Sequence, residues 1–326
     1  MPVRLKHPTF IRNLRPRMHS KMIRSLQSLR GIFAIMIYLS HFQMSPDNTR
    51  AFHAGGVMGV EFFLVLSGFV MCAGYEKVIE SGKFEMGHFM LRRFIRLWPF
   101  HILCMTFFFL LHRINPLSDL ICWGADLLML QPWIPDGNIF FSGNIPSWCL
   151  GVFMLCYLTF PWLIRKWQKS PQRFLRIFMG IWLLYIIYLC MLPSDPEISG
   201  YTEIWLTRVF PPLRLFDFTL GILIWQVYMK LKDSPIQQKL HSMSGTGKTL
   251  IEILPICLLA LSSCAFPYLP EKWISTSIWW LPAILTVLIY ALFDRQGGLI
   301  GKFLNNHILV HFGNASFIFY LIHYLG

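Results

Sequence analysis

Long apolar runs alternate with short charged connections along this chain. A helix that crosses a bilayer needs ~20 mostly apolar residues, and runs near that length fall at 25–44, 56–75, 97–114, 146–164, 175–193, 210–229, 250–269, 277–293 and 303–325. The pattern predicts an all-α fold, a polytopic transmembrane helix bundle of about nine to ten spans. The tenth candidate is 117–131, LSDLICWGADLLMLQ, which is short and carries Asp119 and Asp126. A full crossing there would put the next basic connection on the wrong side, so an interfacial or re-entrant helix is expected. There is no evident internal repeat, and no polar stretch is long enough for a second soluble domain.

Charge in the connections sets the orientation, because Lys and Arg gather in short cytoplasmic loops. Segment 76–96 holds Lys77, Lys83, Arg92, Arg93 and Arg96, whereas 115–145 has neither Lys nor Arg. Residues 165–176 are basic again through Arg165, Lys166, Lys169, Arg173 and Arg176. Asp195, Glu197 and Glu203 make 194–207 acidic, and 230–248 returns to basic with Lys230, Lys232, Lys239 and Lys248. This alternation predicts a cytoplasmic N-terminus.

Residues 1–24, with Arg4, Lys6, Arg12, Arg15, Arg17, Lys21 and Arg24, form a basic cytoplasmic segment ahead of a transmembrane domain over 25–326. The apolar run that follows is longer than a signal-peptide core and lacks a small-residue cleavage pattern. At the other end the last run reaches Gly326 without a basic or polar flank. That ending is expected of a domain truncated within or just before its final membrane element.

Composition agrees. Of 326 residues, 55% are hydrophobic and 14% charged, against about a quarter charged in an ordinary soluble domain. The 16% aromatic content suits side chains that face lipid, pack between helices and anchor at headgroups. A net charge of +13 would suggest nucleic-acid binding in a soluble protein, but here the basic residues sit between apolar runs, where topology explains them; no nucleic-acid partner is expected. The eight Cys form no C-x-x-C pair and lie mostly in apolar runs, so they read as small buried apolar residues, and no metal is implied.

Ionisable groups within spans are costly and usually face the bundle interior, which makes each a functional candidate. The first run, SLRGIFAIMIYLSHF, places Arg30 and His41 eleven positions apart. Eleven residues make just over three helical turns, about 16 Å, so the two side chains share a face. A lone intramembrane His is as readily a satisfied packing residue. The second run, GVEFFLVLSGFVM, carries Glu61, with Gly59 and Gly68 suited to close helix approach. A carboxylate there could orient an imidazole, or simply sit near the outer end of its span. Ahead of the third run, RRFIRLWPFHIL sets Arg93 and Arg96 at i and i+3 beside Arg92. Such a cluster suits phosphate groups and, taken alone, is equally well ordinary positive-inside anchoring. Residues 245–249, Gly-Thr-Gly-Lys-Thr, fail as a phosphate loop because Ser242 occupies the first Gly position and no strand precedes them; a flexible cytoplasmic loop is expected.

Taken together these segments resemble membrane acyltransferase family three, which includes O-acyltransferases of bacterial surface polysaccharides. LRGIFAIMIYLSHF is similar to the first-span signature of a basic residue and a His ten intervening positions later, met by Arg30 and His41. GVEFFLVLSGFVM resembles the second signature, and RRFIRLWP supplies the Arg-x-x-Arg pair as Arg93 and Arg96. PSWCLGVFMLCYLTFPWL, RLFDFTLGILI and FGNASFIFYLIHYLG are similar to later segments, so the likeness runs over nearly the whole chain. Phe153 and Met154 stand where many members carry acidic residues after the Trp matching Trp148.

The resemblance implies a bacterial inner-membrane enzyme that moves an acyl group, acetyl first among the choices, from acyl-CoA to a hydroxyl of a polysaccharide or lipid-linked sugar. It casts His41 as the catalytic base or transient acyl carrier, with Glu61 as its orienting partner. Arg30, Arg93 and Arg96 become contacts to the acyl-CoA donor. The competing expectation is a transporter or flippase for a lipid-linked glycan, against which stand the lack of paired inverted halves and of matching broken helices.

Overall fold

The computed structural model describes residues 23–42, 52–111, 118–192 and 203–324. The basic stretch up to residue 22, the acidic Asp195 and Glu197, and the chain end at Gly326 lie outside them. The described residues are helical, with no strand among them. The principal helices are α1 (Arg24–His41), α2 (Gly55–Glu80), α3 (Met86–Leu111), α4 (Ser118–Leu127), α5 (Trp148–Lys169) and α6 (Pro171–Met191). They continue as α7 (Pro211–Leu231), α8 (Pro235–Ser242), α9 (Gly245–Ala265), α10 (Trp280–Phe293), α11 (Leu299–Leu304) and α12 (His307–Ile322).

Among the described residues each of the nine apolar runs overlaps a helix, and the protein is an integral membrane protein. Five helical stretches among those residues, around α2, α5, α6, α9 and α10, are long and apolar enough to cross a bilayer, and α12 is a shorter apolar helix. The other long helices, α1, α3 and α7, carry Arg30 and His41, Arg93 and Arg96, and Arg214 and Asp217 respectively. The total of nine to ten spans therefore rests on the sequence reading. The ten residues of α4 rise only ~15 Å, half of a ~30 Å hydrocarbon core, and so cannot cross. Asp126 near its end accepts the Ser142 hydroxyl at 2.9 Å, while its carbonyl pairs with His101 Nε2 at 2.7 Å and ties α4 to α3.

Two expectations need correction. Residues 245–249 are not a loop but the first turn of α9: the Ser244 side chain accepts from Gly247 N at 3.1 Å, and Thr249 Oγ1 donates to Gly245 O at 2.8 Å. A serine N-cap satisfies orphan amides, and this outweighs the helix-breaking tendency of the two glycines. The cysteines, too, are not uniformly buried. Cys72, Cys104, Cys149 and Cys156 are, whereas Cys190, Cys257 and Cys264 are exposed, because α6 and α9 are peripheral helices with most of their side chains outward.

The centre of the bundle is set by two close crossings. In the first, a methyl added at Gly221 of α7 would overlap the Val65 carbonyl of α2, and one at Gly68 would overlap the Phe218 carbonyl. Without side chains there, the backbones come into contact, as small residues permit in membranes. In the second, Gly31 of α1 meets Gly313 of α12, a Cβ on Gly31 standing 3.2 Å from Gly313 N. Gly59 similarly admits Ile37 of α1 against α2. Gln27 Nε2 donates to Asn314 Oδ1 at 2.8 Å beside the α1/α12 crossing.

Candidate active site

From the Gly68/Gly221 crossing, Glu61 and Arg214 each lie seven residues earlier, ~10 Å along their helices, so α2 and α7 run parallel and bring these two side chains together. Arg214 Nη2 donates to Glu61 Oε2 at 2.7 Å and pairs with Asp217 Oδ2 at 2.8 Å. Its Nη1 donates to the carbonyls of Ser275 at 3.1 Å and Thr207 at 3.4 Å. Trp280 Nε1 donates to Asp217 Oδ1 at 2.8 Å. All three charged residues are fully buried. A guanidinium at this depth is tolerable only because carboxylates and carbonyls replace its water. Glu61, expected beside an imidazole, is thus engaged by Arg214.

The α1/α12 crossing works the same way. Ten residues beyond Gly31 comes His41, and ten beyond Gly313 comes His323; His323 Nε2 lies 3.4 Å from His41 Nδ1, with ring centroids 5.1 Å apart. His41 Nδ1 is also 2.9 Å from Ile37 O and 3.3 Å from Ser40 Oγ. Ser40 donates its own hydroxyl hydrogen to Ile37 O at 2.6 Å. Tyr324 adds an edge-on ring 5.4 Å from the imidazole.

Arg30 and His41 face inward onto two separate cavities. Arg30, Arg93 and Arg96 line a cavity of ≈ 120 Å³ whose remaining wall is mostly apolar, including Phe153 and Tyr157. Arg93 Nη2 donates to the Tyr75 hydroxyl at 2.9 Å, and its guanidinium carbon lies 5.3 to 5.5 Å from the ring centres of Tyr75, Phe89 and Tyr157. Aromatic faces on several sides hold a cation by their quadrupoles. Arg30 Nη1 is 3.4 Å from Gln27 Oε1.

At the other end of α1, His41 lines a larger cavity of ≈ 450 Å³ with His53, Arg208, Arg214 and Glu271. Arg208 Nη2 pairs with Glu271 Oε1 at 2.5 Å, and its Nε donates to Ser275 Oγ at 3.3 Å. Val60 and Tyr320 line both cavities. The Tyr320 hydroxyl donates to Pro146 O at 2.7 Å, and Asn144 Nδ2 donates to Leu321 O at 2.8 Å, which fixes the end of α12 between the chambers. The sequence alone assigns no role to Arg208, Arg214, Glu271 or His323, although Arg214 and His323 lie in segments that carry the resemblance. Arg214 lies in RLFDFTLGILI, where an intramembrane Arg three residues before Asp217 was the available signal.

Comparison with known proteins returns a family model described as an acyltransferase domain, matched by residues 23–325. Acyltransferase MdmB of Streptomyces mycarofaciens is 27% identical over 92% of this chain and 78% of its own length. Peptidoglycan O-acetyltransferase OatA of Listeria monocytogenes is 25% identical over 93% of this chain and 49% of its own. A putative O-acetyltransferase of Staphylococcus aureus, SACOL0978, is 24% identical over 93% of this chain and 50% of its own. The chain thus spans about half the length of the Listeria and Staphylococcus relatives. No solved structure matches it.

Proposed function

We propose that this chain, which belongs to the acyltransferase domain family matched over residues 23–325, transfers an acetyl group from acetyl-CoA to a sugar hydroxyl of a polysaccharide or lipid-linked glycan. Acyl transfer is the family's chemistry, and it replaces the transporter reading. The donor, the acceptor and the placement in a bacterial inner membrane with the N-terminus cytoplasmic are our reading.

The observation that carries it is the pair of cavities stacked along one face of α1, with the arginines at one end, the imidazole at the other, and Val60 and Tyr320 common to both. The donor's phosphates would meet Arg30, Arg93 and Arg96 at the cytoplasmic end, where guanidinium forks suit them. Its thin acyl-bearing arm would follow the apolar cavity past Tyr320. The acceptor would occupy the larger chamber, whose Arg208, Glu271 and His53 offer donors and acceptors for sugar hydroxyls.

His41 acts there as general base. Its Nε2 takes the hydroxyl proton as the acceptor oxygen bonds to the acyl carbon. The carbon–sulfur bond then breaks, and the proton passes to the departing thiolate. Arg214 lines the same chamber, and its Nε–H, which has no hydrogen-bond partner among the described residues, would donate to the acyl oxygen as oxyanion charge develops there. Glu61 contributes by holding that guanidinium in place, a positioning role.

The test uses full-length protein in proteoliposomes supplied with acetyl-CoA and a polysaccharide acceptor. Thiol release and acceptor mass are followed, the latter for a gain of one acetyl group. His41→Ala is expected to lower transfer by ~10²- to 10⁴-fold, the usual worth of a general base. Normal transfer by that variant would refute the assignment.

A further inference from the structure

Three hydrogen-bond acceptors surround one nitrogen of the proposed base. Ile37 O lies 2.9 Å from His41 Nδ1, Ser40 Oγ lies 3.3 Å away with its hydrogen already committed to Ile37 O, and His323 Nε2 lies 3.4 Å away. His323 Nδ1 is itself 2.6 Å from the Tyr320 carbonyl. A carbonyl oxygen only accepts, so Nδ1 of His323 carries the hydrogen, and in the neutral ring Nε2 is then an acceptor. Carbonyl, hydroxyl and second imidazole thus all demand a hydrogen on His41 Nδ1. The lone pair is left on His41 Nε2, the atom a general base must use.

We propose that His323 is a positioning residue for acyl transfer: its Nε2 accepts from His41 Nδ1–H, holding the His41 ring in the tautomer and orientation in which Nε2 can take the acceptor's proton. This rests on the reading of His41 as base. In hydrolytic triads the orienting partner of a catalytic His is a carboxylate; here a neutral imidazole takes that place, which suits a region where a further buried charge would be costly. The contact is long for a hydrogen bond at 3.4 Å, and it would shorten as positive charge develops on His41 during proton transfer.

The Gly31/Gly313 crossing explains why this partner comes from the far end of the chain. Parallel packing of α1 on α12 brings positions 41 and 323 level, ten residues beyond the two glycines. The Tyr320 hydroxyl bond to Pro146 O secures the turn of helix that carries His323.

The test is ¹⁵N NMR of histidine-labelled full-length protein in lipid nanodiscs, with His41 assigned by the signal lost in His41→Gln. It is run beside the acetyl-CoA assay. Wild-type His41 is expected as the Nδ1–H tautomer. His323→Gln, whose side-chain oxygen can stand where Nε2 stood, should keep that tautomer and most of the transfer rate. His323→Phe leaves Ile37 O to hold the hydrogen on Nδ1 but removes the partner that fixes the ring's orientation, so it should shift or broaden the His41 ring signals and lower kcat by ~10-fold or more, with the KM for acetyl-CoA little changed. A wild-type His41 found as Nε2–H, or a His323→Phe protein with unaltered His41 ring signals and kcat, overturns the proposal. Should wild-type protein show no acetyl transfer, the donor and acceptor assignment fails. The His41 ring signals of wild type and His323→Phe then still decide whether His323 orients His41.

Discussion

Adding a single methyl group at Gly221 would push apart the two helices that carry Arg214 and Glu61. A Cβ at Gly221 would overlap the Val65 carbonyl oxygen and stand 2.9 Å from the Phe69 nitrogen and the Val65 carbonyl carbon. Ordinary contact begins near 3.5 Å, so α2 and α7 must separate by about 1 Å or more. Two turns away, the Glu61–Arg214 bond of 2.7 Å would open by a similar amount, past the ~3.2 Å limit of a good hydrogen bond. A misplacement of ~1 Å from a distant substitution can lower a catalysed rate by ~10²-fold. Gly221→Ala is therefore expected to insert in the membrane, melt at a lower temperature and transfer acyl groups about a hundredfold more slowly. Gly180→Ala serves as the control, since nothing lies within 4 Å of a Cβ there. The assay pairs thermal unfolding in detergent with thiol release from acetyl-CoA. Wild-type melting and transfer in Gly221→Ala would show that the α2/α7 approach does not hold the charged cluster.

Two further outcomes are expected. Arg93→Lys loses the planar fork that Tyr75, Phe89 and Tyr157 hold from several sides, so the KM for acetyl-CoA should rise ~10-fold while kcat changes little; an unchanged KM would remove Arg93 from the donor site. Arg214→Met strands Glu61 and Asp217 without their cation, at a cost of ~3–5 kcal/mol. Its melting temperature should fall sharply, and replacing both carboxylates by Leu in the same protein should restore stability without restoring transfer.

What could be read along the chain was whatever depends on local geometry. Hydropathy located the helices because a bilayer demands continuous apolar length from each one separately. The eleven-residue spacing put Arg30 and His41 on one face because helical pitch is the same everywhere, and that face does turn inward onto the two cavities. The GTGKT stretch was misread as a loop because a single serine cap outweighed its glycines.

The rest lay between positions far apart in sequence. Arg214 reaches Glu61 across 153 residues and His323 reaches His41 across 282. No periodicity announces such pairings, since they follow from how closely two helices cross and from the register of the crossing. At both crossings that register is set by backbone meeting backbone at glycine, where a side chain would have kept the helices apart. The amino-acid sequence by itself determined the membrane helices, the arginine cluster and the inward face of α1. Tertiary packing alone decided that Glu61 would hold an arginine and that a second histidine would stand beside the first.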